Sequence, residues 1–347
     1  MSNPKPKRIG ILTAGGDCPG LNAAIRGVGK TAIVDYGMDV IGFTAGYTGL
    51  IEKDFVELKE SHLSGILTLG GTILGTSREK PYKFVKEGDS DKPALIKKNY
   101  QDLGLDAVVC IGGNGTMKTA HRLQQEGLNV VGIPKTIDND VWGTDVTFGF
   151  DSAVHIATEA IDRLHTTANS HQRVMIIEVM GHHAGWIALY AGMAGGGDIV
   201  LIPEVEYNIR SICKKIEERY ESKKPYSIVV VAEGINHPKK VSAAAHIGEA
   251  IQTYTGIETR ETVLGYVQRG GSPTPMDRIL ATRYGAYAAQ CIAEENYGTM
   301  VAIRNNFLTT VPLEEVGGKL SLVEPENPLI QKARKMGMAF GDEYDLM

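Results

Sequence analysis

The strongest constraint on the fold is a regular alternation of short apolar runs with helical patterns. Residues 8–13, 106–111 and 128–133 form apolar runs of strand length, and stretches with apolar residues at helical spacing lie between them. Strands that alternate with helices are typical of βαβ units, whose parallel strands share one sheet. The sequence therefore predicts an α/β fold with mostly parallel sheets.

The chain is long enough for two domains, and a second series of elements marks where the first domain ends. At 347 residues it exceeds the usual size of a single domain. Apolar residues recur at helical spacing from Phe150 to Leu164. Further alternating strand and helix patterns follow, with a strand predicted at residues 174–179 and the last strand of this series at 262–267. We therefore place the domain boundary near Gly149.

Composition narrows the class of protein. The formal net charge of -5 argues against a general nucleic-acid-binding surface, although local basic patches can still hold phosphates. No apolar run approaches the roughly 18 residues that a membrane span needs. The four cysteines lie far apart without a C-x-x-C pair, which disfavours a zinc site and a disulfide framework. We expect reduced thiols in a cytoplasmic protein that binds neither nucleic acid nor membrane.

Three glycine-rich segments are predicted at strand ends, at residues 14–20, 70–78 and 112–116. A single glycine turn between a strand and a helix is usually structural. Three at one sheet edge would line a crevice with backbone amides and helix N-termini, which bind phosphate groups. No G-x-G-x-x-G motif occurs, so the main sequence evidence for a dinucleotide-binding domain is missing.

An acidic segment, residues 134–140, emerges where the apolar run 128–133 ends. It places Lys135, Asp138 and Asp140 at the carboxyl end of a predicted strand, where open α/β sheets carry their chemistry. Taken alone, an Asp-Asn-Asp stretch is more often a solvated loop with an Asx turn. The rest of the chain must decide between such a loop and a functional segment.

The second half of the chain carries arginines at loop and strand positions. Arg173, Arg260 and Arg269, together with Glu233, suit a sugar phosphate, because guanidinium groups bind phosphate and a carboxylate binds hydroxyls. Surface salt bridges are the alternative for these charges. His182 and His183 precede a predicted helix and show no metal-binding spacing.

Several motifs together resemble the phosphofructokinase family over most of the chain. The matching segments are residues 15–22, 112–116, 135–140, 170–173, 178–181 and 264–273. The resemblance implies two Rossmann-like three-layer α/β domains with the active site in the cleft between them. It implies a nucleotide-binding domain of residues 1–149 plus about 268–320. Residues 150–267 plus about 321–347 would form a sugar-phosphate-binding domain.

The resemblance also implies a reaction and its residues. The reaction is glycolytic phosphoryl transfer from ATP, with Mg²⁺, to the 1-hydroxyl of fructose 6-phosphate. Asp138 matches the catalytic base, and Thr136 and Arg173 are further catalytic candidates. The expected substrate-binding residues are Thr136, Ile137, Asp138, Arg173, Met180, Gly181, His182, Glu233, Arg260, Tyr266, Val267, Gln268 and Arg269. The expected nucleotide-binding residues are Gly16, Arg78, Glu79, Gly113, Asn114, Gly115 and Thr116.

Two departures from the best-known bacterial pattern bear on the metal and the donor. Asn114 stands where a magnesium-associated aspartate is usual, so Mg²⁺ would depend on Asp140 and the nucleotide. Lys135 is common to pyrophosphate-dependent members and to some ATP-dependent ones. Gly115 matches ATP-dependent members, because an aspartate there would repel the α-phosphate of ATP. We therefore expect ATP as the donor, with pyrophosphate as the alternative.

Regulation and assembly follow from the same resemblance. His165 and Ser222 replace basic residues of an effector site of which Arg26, Lys30 and Lys224 remain, so we expect weak or absent activation by ADP. Two arginines of the sugar site usually come from a neighbouring subunit, which implies a homodimer or homotetramer with shared active sites.

Kinases of NAD and of lipids have a similar glycine turn but lack the Thr-Ile-Asp-Asn-Asp segment. A catalytically silent nucleotide sensor would not need Asp138.

Overall fold

The computed structural model describes residues 6–83 and 91–342. The ends of the expected domains at residues 1–5 and 343–347 lie outside these ranges. The described residues form two compact units. Unit 1 takes them from Met1–Thr136, Asp140–Gly149 and Arg269–Leu320. Unit 2 takes them from Ile137–Asn139, Phe150–Gln268 and Ser321–Met347.

Strands and helices alternate along the chain. Up to residue 134 they are β1 (Arg8–Thr13), α1 (Leu21–Val34), β2 (Asp39–Phe43), α2 (Tyr47–Glu52), β3 (Phe55–Glu57), α3 (Lys92–Asp102), β4 (Ala107–Gly112), α4 (Asn114–Gln125) and β5 (Val130–Pro134). Next come α5 (Phe150–His171), β6 (Val174–Val179), α6 (Trp186–Ala194), β7 (Ile199–Leu201), α7 (Ile209–Glu221), β8 (Ser227–Ala232), α8 (Ala243–Thr255) and β9 (Thr259–Val263). A 3-10 helix covers Gly265–Arg269, followed by α9 (Pro275–Ala293), β10 (Thr299–Arg304), β11 (Phe307–Pro312), α10 (Leu313–Val316) and α11 (Pro328–Lys335).

Unit 1 is built on a mixed sheet whose centre is parallel. Its described strands run in the order β11-β10-β5-β4-β1-β2-β3, with antiparallel pairing at both edges. Every residue of β4 and β5 is buried, as expected for strands covered on both faces. The carboxyl ends of β1, β4 and β5 therefore lie side by side and carry the turns described below.

Helices α1 and α9 of unit 1 pack unusually closely, and glycine makes this possible. A Cβ at Gly27 on α1 would lie 2.7 Å from the carbonyl oxygen of Thr282 on α9. A Cβ at Gly285 on α9 would collide with the carbonyl oxygen of Ala24 on α1. Because α9 follows the chain segment at Arg269, this packing places that segment close to the start of α1.

Unit 2 contains a parallel sheet, which its described strands form in the order β7-β8-β6-β9. All residues of β6 and β8 are buried. The C-terminal segment joins this unit at Ala339, whose backbone bonds to Asp198 and Val200 around β7. None of the helices in the described ranges has the length and apolar character that a membrane span requires.

The α/β class with mostly parallel sheets is confirmed, and β1 and β6 begin and end where the apolar runs predict. Two local expectations are wrong. The last strand of unit 2 is Thr259–Val263, since the chain beyond it tightens into a 3-10 helix, and not 262–267. Glycine segment 70–78 is an irregular loop and joins no strand to a helix.

Candidate active site

The turn between β1 and α1 is the first element of the site in unit 1. Gly15 adopts a left-handed backbone with φ of +87°, which a side chain would strain. Its N–H donates to the Ser77 carbonyl oxygen at 2.9 Å, and its carbonyl oxygen accepts from the Thr76 hydroxyl at 2.8 Å. The irregular loop 70–78 therefore lies directly against this turn.

The turn between β4 and α4 is the second element. Helix α4 begins at Asn114 with Gly113 as its N-cap, so the expected nucleotide-binding residues up to Thr116 form its first turn. A helix N-terminus attracts phosphate through its free N–H groups and its dipole. A Cβ at Gly115 would meet no atom within 4 Å, so the space at this position is open.

Lys135 connects the end of β5 to the first turn. The residue is only 3% exposed, and its ammonium group donates to the carbonyl oxygen of Gly16. Its backbone N–H donates to the Gly112 carbonyl oxygen at 3.0 Å. The structure thus places a buried positive charge between the two glycine turns of unit 1.

Asn114 and Asp140 are also brought together in unit 1. The Asn114 side-chain N–H donates to an Asp140 carboxylate oxygen at 2.9 Å and to the Asp140 carbonyl oxygen at 3.3 Å. Among the described residues, the Asn114 side-chain oxygen is buried and has no hydrogen-bond partner. A buried polar atom without a partner costs free energy, so this oxygen is suited to a ligand.

Arg78 and Glu79 follow the loop 70–78. Arg78 is exposed, whereas Glu79 is partly buried. The Glu79 carboxylate forms an ion pair of 3.0 Å with Lys92 at the start of α3. No sequence pattern singles out Lys92, because 13 residues separate the partners.

Arg269 lies in unit 1, next to the first turn. Its Nη1 donates to the Asp17 carbonyl oxygen at 3.1 Å, and a Cβ at Gly16 would lie 2.7 Å from the same nitrogen. Its Nε is buried without a hydrogen-bond partner in the described part of the chain. The structure therefore places an expected sugar-phosphate ligand directly against an expected nucleotide-binding glycine.

The segment with Asp138 is fixed by its neighbours. The Thr136 carbonyl oxygen accepts from the Thr147 hydroxyl at 2.8 Å, and Ile137 is fully buried. Asp138 is partly exposed, and Ile137–Asn139 belongs to unit 2. A partly exposed carboxylate between buried neighbours is held in place and can still reach a substrate.

In unit 2, Arg173 and Arg260 both bond to Glu258, which sequence reasoning missed. One carboxylate oxygen of Glu258 accepts from Arg173 Nε and the other from Arg260 Nη2. Partial desolvation opposes the charge on this carboxylate, but the hydrogen bonds from the two arginines lower its pKa below the usual value. The spacing Glu-x-Arg was visible in the sequence, but the contact with Arg173 was not.

The turn after β6 carries the next expected substrate residues. The Met180 N–H donates to the Gln268 side chain at 2.8 Å, and the His182 N–H donates to the Glu233 carboxylate at 3.0 Å. Gly181 has a φ of +149°, and a Cβ there would collide with the Ala184 carbonyl oxygen. The structure therefore brings these expected residues together within unit 2.

The remaining expected substrate residues, Tyr266 and Val267, are largely exposed, at 73% and 60%. Among the expected effector residues, His165 bonds through its two ring nitrogens to the Tyr226 hydroxyl and the Gly195 carbonyl oxygen. Ser222 and Lys224 line a cavity of about 440 Å³ that also contains the Asp198–Arg219 ion pair.

Comparison with known proteins gives consistent results. The phosphofructokinase family model matches residues 8–292. A protein of Bacteroides thetaiotaomicron named ATP-dependent 6-phosphofructokinase 3 is 61% identical over 337 residues, covering 96% of this chain and all of the relative. A protein of Spirochaeta thermophila named ATP-dependent 6-phosphofructokinase is 55% identical, covering 99% of this chain and all of the relative.

Solved structures share the fold. Phosphofructokinase from Saccharomyces cerevisiae superposes with a TM-score of 0.81 at 33% identity, over 89% of this chain and 45% of the yeast chain. A pyrophosphate-dependent phosphofructokinase from Nitrosospira multiformis gives a TM-score of 0.85 at 19% identity, over 97% of this chain and 93% of that chain. At that identity the second likeness concerns the fold alone.

Proposed function

The chain belongs to the phosphofructokinase family, and we propose on that premise how its residues transfer phosphate. The enzyme transfers the terminal phosphoryl group of ATP to the 1-hydroxyl of fructose 6-phosphate, which gives fructose 1,6-bisphosphate in glycolysis. The observation that carries the choice of donor is the open space at Gly115, where a Cβ would meet no atom within 4 Å. ATP brings an α-phosphate and a nucleoside that need such space.

The donor side of the proposal rests on unit 1. The N-termini of α1 and α4, with Gly16 and residues 113–116, supply N–H groups and helix dipoles for the phosphates. Lys135, buried beside the Gly16 carbonyl oxygen, adds a positive charge near them. Arg78 and Glu79, farther along the loop, are assigned to the rest of the nucleotide. Positioned charge of this kind is the main protein contribution to phosphoryl transfer.

Mg²⁺ that arrives with ATP is part of the proposal. No group of three or more His, Cys, Asp or Glu side chains in the described ranges could hold a metal by itself. Mg²⁺ usually binds one or two carboxylates plus substrate phosphates and keeps several waters. Asp140 fits that pattern, and so does the Asn114 side-chain oxygen, which has no hydrogen-bond partner within the described ranges. When bound, the ion would neutralise charge on the transferring phosphates.

The acceptor side rests on Asp138 and on unit 2. We assign Asp138 as the base that takes the proton of the sugar 1-hydroxyl. A carboxylate is a weak base toward an alcohol, so its main contribution is to orient the hydroxyl for in-line attack while the proton leaves late. Thr136 and Ile137 hold this segment. Arg173 is assigned to catalysis as well as to binding.

The remaining acceptor residues bind the sugar phosphate. Arg173, Arg260 and Arg269 are assigned to the 6-phosphate. The residues assigned to the sugar are Met180, Gly181, His182, Glu233, Tyr266, Val267 and Gln268. The hydrogen bonds that join Met180 to Gln268 and His182 to Glu233 support a single preformed surface in unit 2.

Assembly and location complete the proposal. We assign a homodimer or homotetramer whose subunits share the sugar-phosphate arginines. The exposed side chains of Tyr266 and Val267 support this, since exposed apolar groups beside a site often contact a partner. The four cysteines are free and buried, which fits a cytoplasmic enzyme.

Pyrophosphate is the second candidate donor, because a lysine at the position of Lys135 is common to pyrophosphate-dependent members of the family and to some ATP-dependent ones. The test is an assay of purified protein with fructose 6-phosphate and Mg²⁺, offered ATP or pyrophosphate in parallel. Formation of fructose 1,6-bisphosphate with a much higher kcat/KM for ATP is expected. A preference for pyrophosphate would overturn the choice of donor, and no product with either would overturn the reaction.

A further inference from the structure

Asn22 lies at the start of α1, and its side chain is buried with only 1% exposure. Its side-chain N–H groups donate to the carbonyl oxygens of Leu69 and Gly70, each at 3.2 Å. Its side-chain oxygen accepts from the Ile73 N–H at 2.7 Å. One buried amide therefore satisfies three backbone groups of an irregular loop that has no helix or strand to do so.

The loop that Asn22 holds runs from Thr68 to Arg78, and we call it the strap. At its far end it is tied to the first glycine turn. The Thr13 hydroxyl donates to the Gly75 carbonyl oxygen at 2.7 Å. The next two residues along the chain, Thr76 and Ser77, both bond to Gly15. These contacts therefore set the position of Arg78, the last residue of the strap.

At its near end the strap contacts the chain that follows Arg269. The Ser272 hydroxyl donates to the Thr68 carbonyl oxygen at 2.8 Å. A Cβ at Gly70 would collide with the carbonyl oxygen of Gly271. The backbone of the strap thus lies in direct contact with the segment two residues beyond Arg269, and Asn22 bonds to the strap at this same point.

We propose that Asn22 is a positioning residue that fixes, through the strap, both Arg78 on the donor side and the Arg269 segment on the acceptor side. This inference rests on the proposed function, which assigns those arginines to ATP and to fructose 6-phosphate. The proposed function assigns Asn22 to neither substrate, and its amide bonds to the backbone of the strap. Its effect comes from holding backbone that carries two binding groups, and displacement of such groups by about 1 Å can cost orders of magnitude in rate.

The chain offers a matched control in Asn99 on α3. Asn99 is also buried, at 7% exposure, and its side-chain N–H groups donate to the carbonyl oxygens of Leu50 and Ile51 at 3.0 and 2.8 Å. It therefore loses comparable buried hydrogen bonds when truncated, but these bonds go to helix α2 and none of them goes to the strap. A loss of stability without displacement of the binding groups would therefore appear in both variants.

The experiment compares Asn22→Ala with Asn99→Ala in the full-length enzyme, well below the melting temperature of each variant. We expect both to lower the melting temperature. Asn22→Ala should also raise KM for ATP and for fructose 6-phosphate, so that kcat/KM falls at least about tenfold, as for misplaced binding groups. Asn99→Ala should leave both KM values unchanged.

A second, milder variant keeps the test decisive if Asn22→Ala does not fold. Thr72→Val removes the contact of 3.1 Å between the hydroxyl of Thr72 in the strap and the hydroxyl of Thr13 in β1. It should shift both KM values in the same direction by less. Unchanged KM values in the folded Asn22 or Thr72 variants, or equal changes in Asn99→Ala, overturn the inference. If the wild type shows no activity with ATP and fructose 6-phosphate, it is the proposed function that fails.

Discussion

The side-chain N–H of Asn114 donates to a carboxylate oxygen of Asp140 at 2.9 Å, while the Asn114 side-chain oxygen has no partner among the described residues. An amide can make this contact with a neighbouring carboxylate, whereas a second carboxylate would repel it. The pair therefore keeps one negative charge and one neutral oxygen at the place where we assign Mg²⁺.

Asn114→Asp adds a second carboxylate at this contact. We expect a lower Mg²⁺ concentration for half-maximal activity, because more carboxylate ligands raise affinity for the ion. Without the ion, the two close carboxylates repel each other, so the melting temperature in EDTA should fall below that of the wild type. A Mg²⁺ titration of activity and melting curves with and without EDTA check both. An unchanged Mg²⁺ requirement would contradict the assignment.

Gly115→Asp tests donor choice. The site has room for a side chain, so the variant should fold, and its charge should repel the α-phosphate of ATP. We expect kcat/KM for ATP to fall by about tenfold or more, which corresponds to a repulsion of roughly 1.4 kcal/mol or more. The kcat/KM for pyrophosphate should fall less. Gly115→Asn has nearly the same size without the charge and should keep most ATP activity. Equal losses in the two variants would mean that size and not charge decides.

Gly16→Ala tests the contact between Gly16 and Arg269. The new Cβ would lie 2.7 Å from Arg269 Nη1, so the guanidinium group must move. Losing one charged hydrogen bond to the sugar phosphate costs roughly 1.5–3 kcal/mol, and KM for fructose 6-phosphate should rise accordingly. The same substitution in an Arg269→Ala background should add little to KM for this substrate. Additive effects would show that Gly16 acts independently of Arg269.

Burial makes the cysteines unreactive and links stability to alkaline pH. Desolvation raises the pKa of Cys18 and of Cys110 to about 12, from an ordinary value of 9.0. These neutral thiols contribute their full stabilising effect below pH 9.0. As the pH rises from 9.0 through about 12, the thiols ionise in the unfolded chain before they ionise in the folded protein, so this contribution to the free energy of unfolding is lost. Native protein at pH 9.5 should resist thiol labelling, and denatured protein should label at once. Rapid labelling of Cys18 in the native state would contradict this burial.

The sequence predicted the elements that bury a continuous apolar surface. Strands β1 and β6 were delimited correctly because their residues are apolar on both faces. Helix α2 was not predicted, because its six residues are too few to show a periodic pattern and because one glycine precedes the helix and another lies within it. Edge strand β3 is three residues long and partly exposed, so it carries no apolar run.

The residues of the candidate site could be anticipated where they stand in motifs, and the residues that support them could not. Lys135 and Asp138 were visible at a strand end. Glu258 and Asn22 act through contacts with residues 85 and up to 51 positions away, which no local pattern records. Such contacts appear only when the chain is folded.

The most direct test of the account replaces Asp138, the proposed base, by asparagine. Turnover with ATP and fructose 6-phosphate should fall by roughly two to four powers of ten, because the amide cannot accept the proton. Binding of fructose 6-phosphate, measured by calorimetry on the same preparation, should stay close to the wild-type value. Near-normal turnover in Asp138→Asn would remove this residue from the mechanism and with it the central claim.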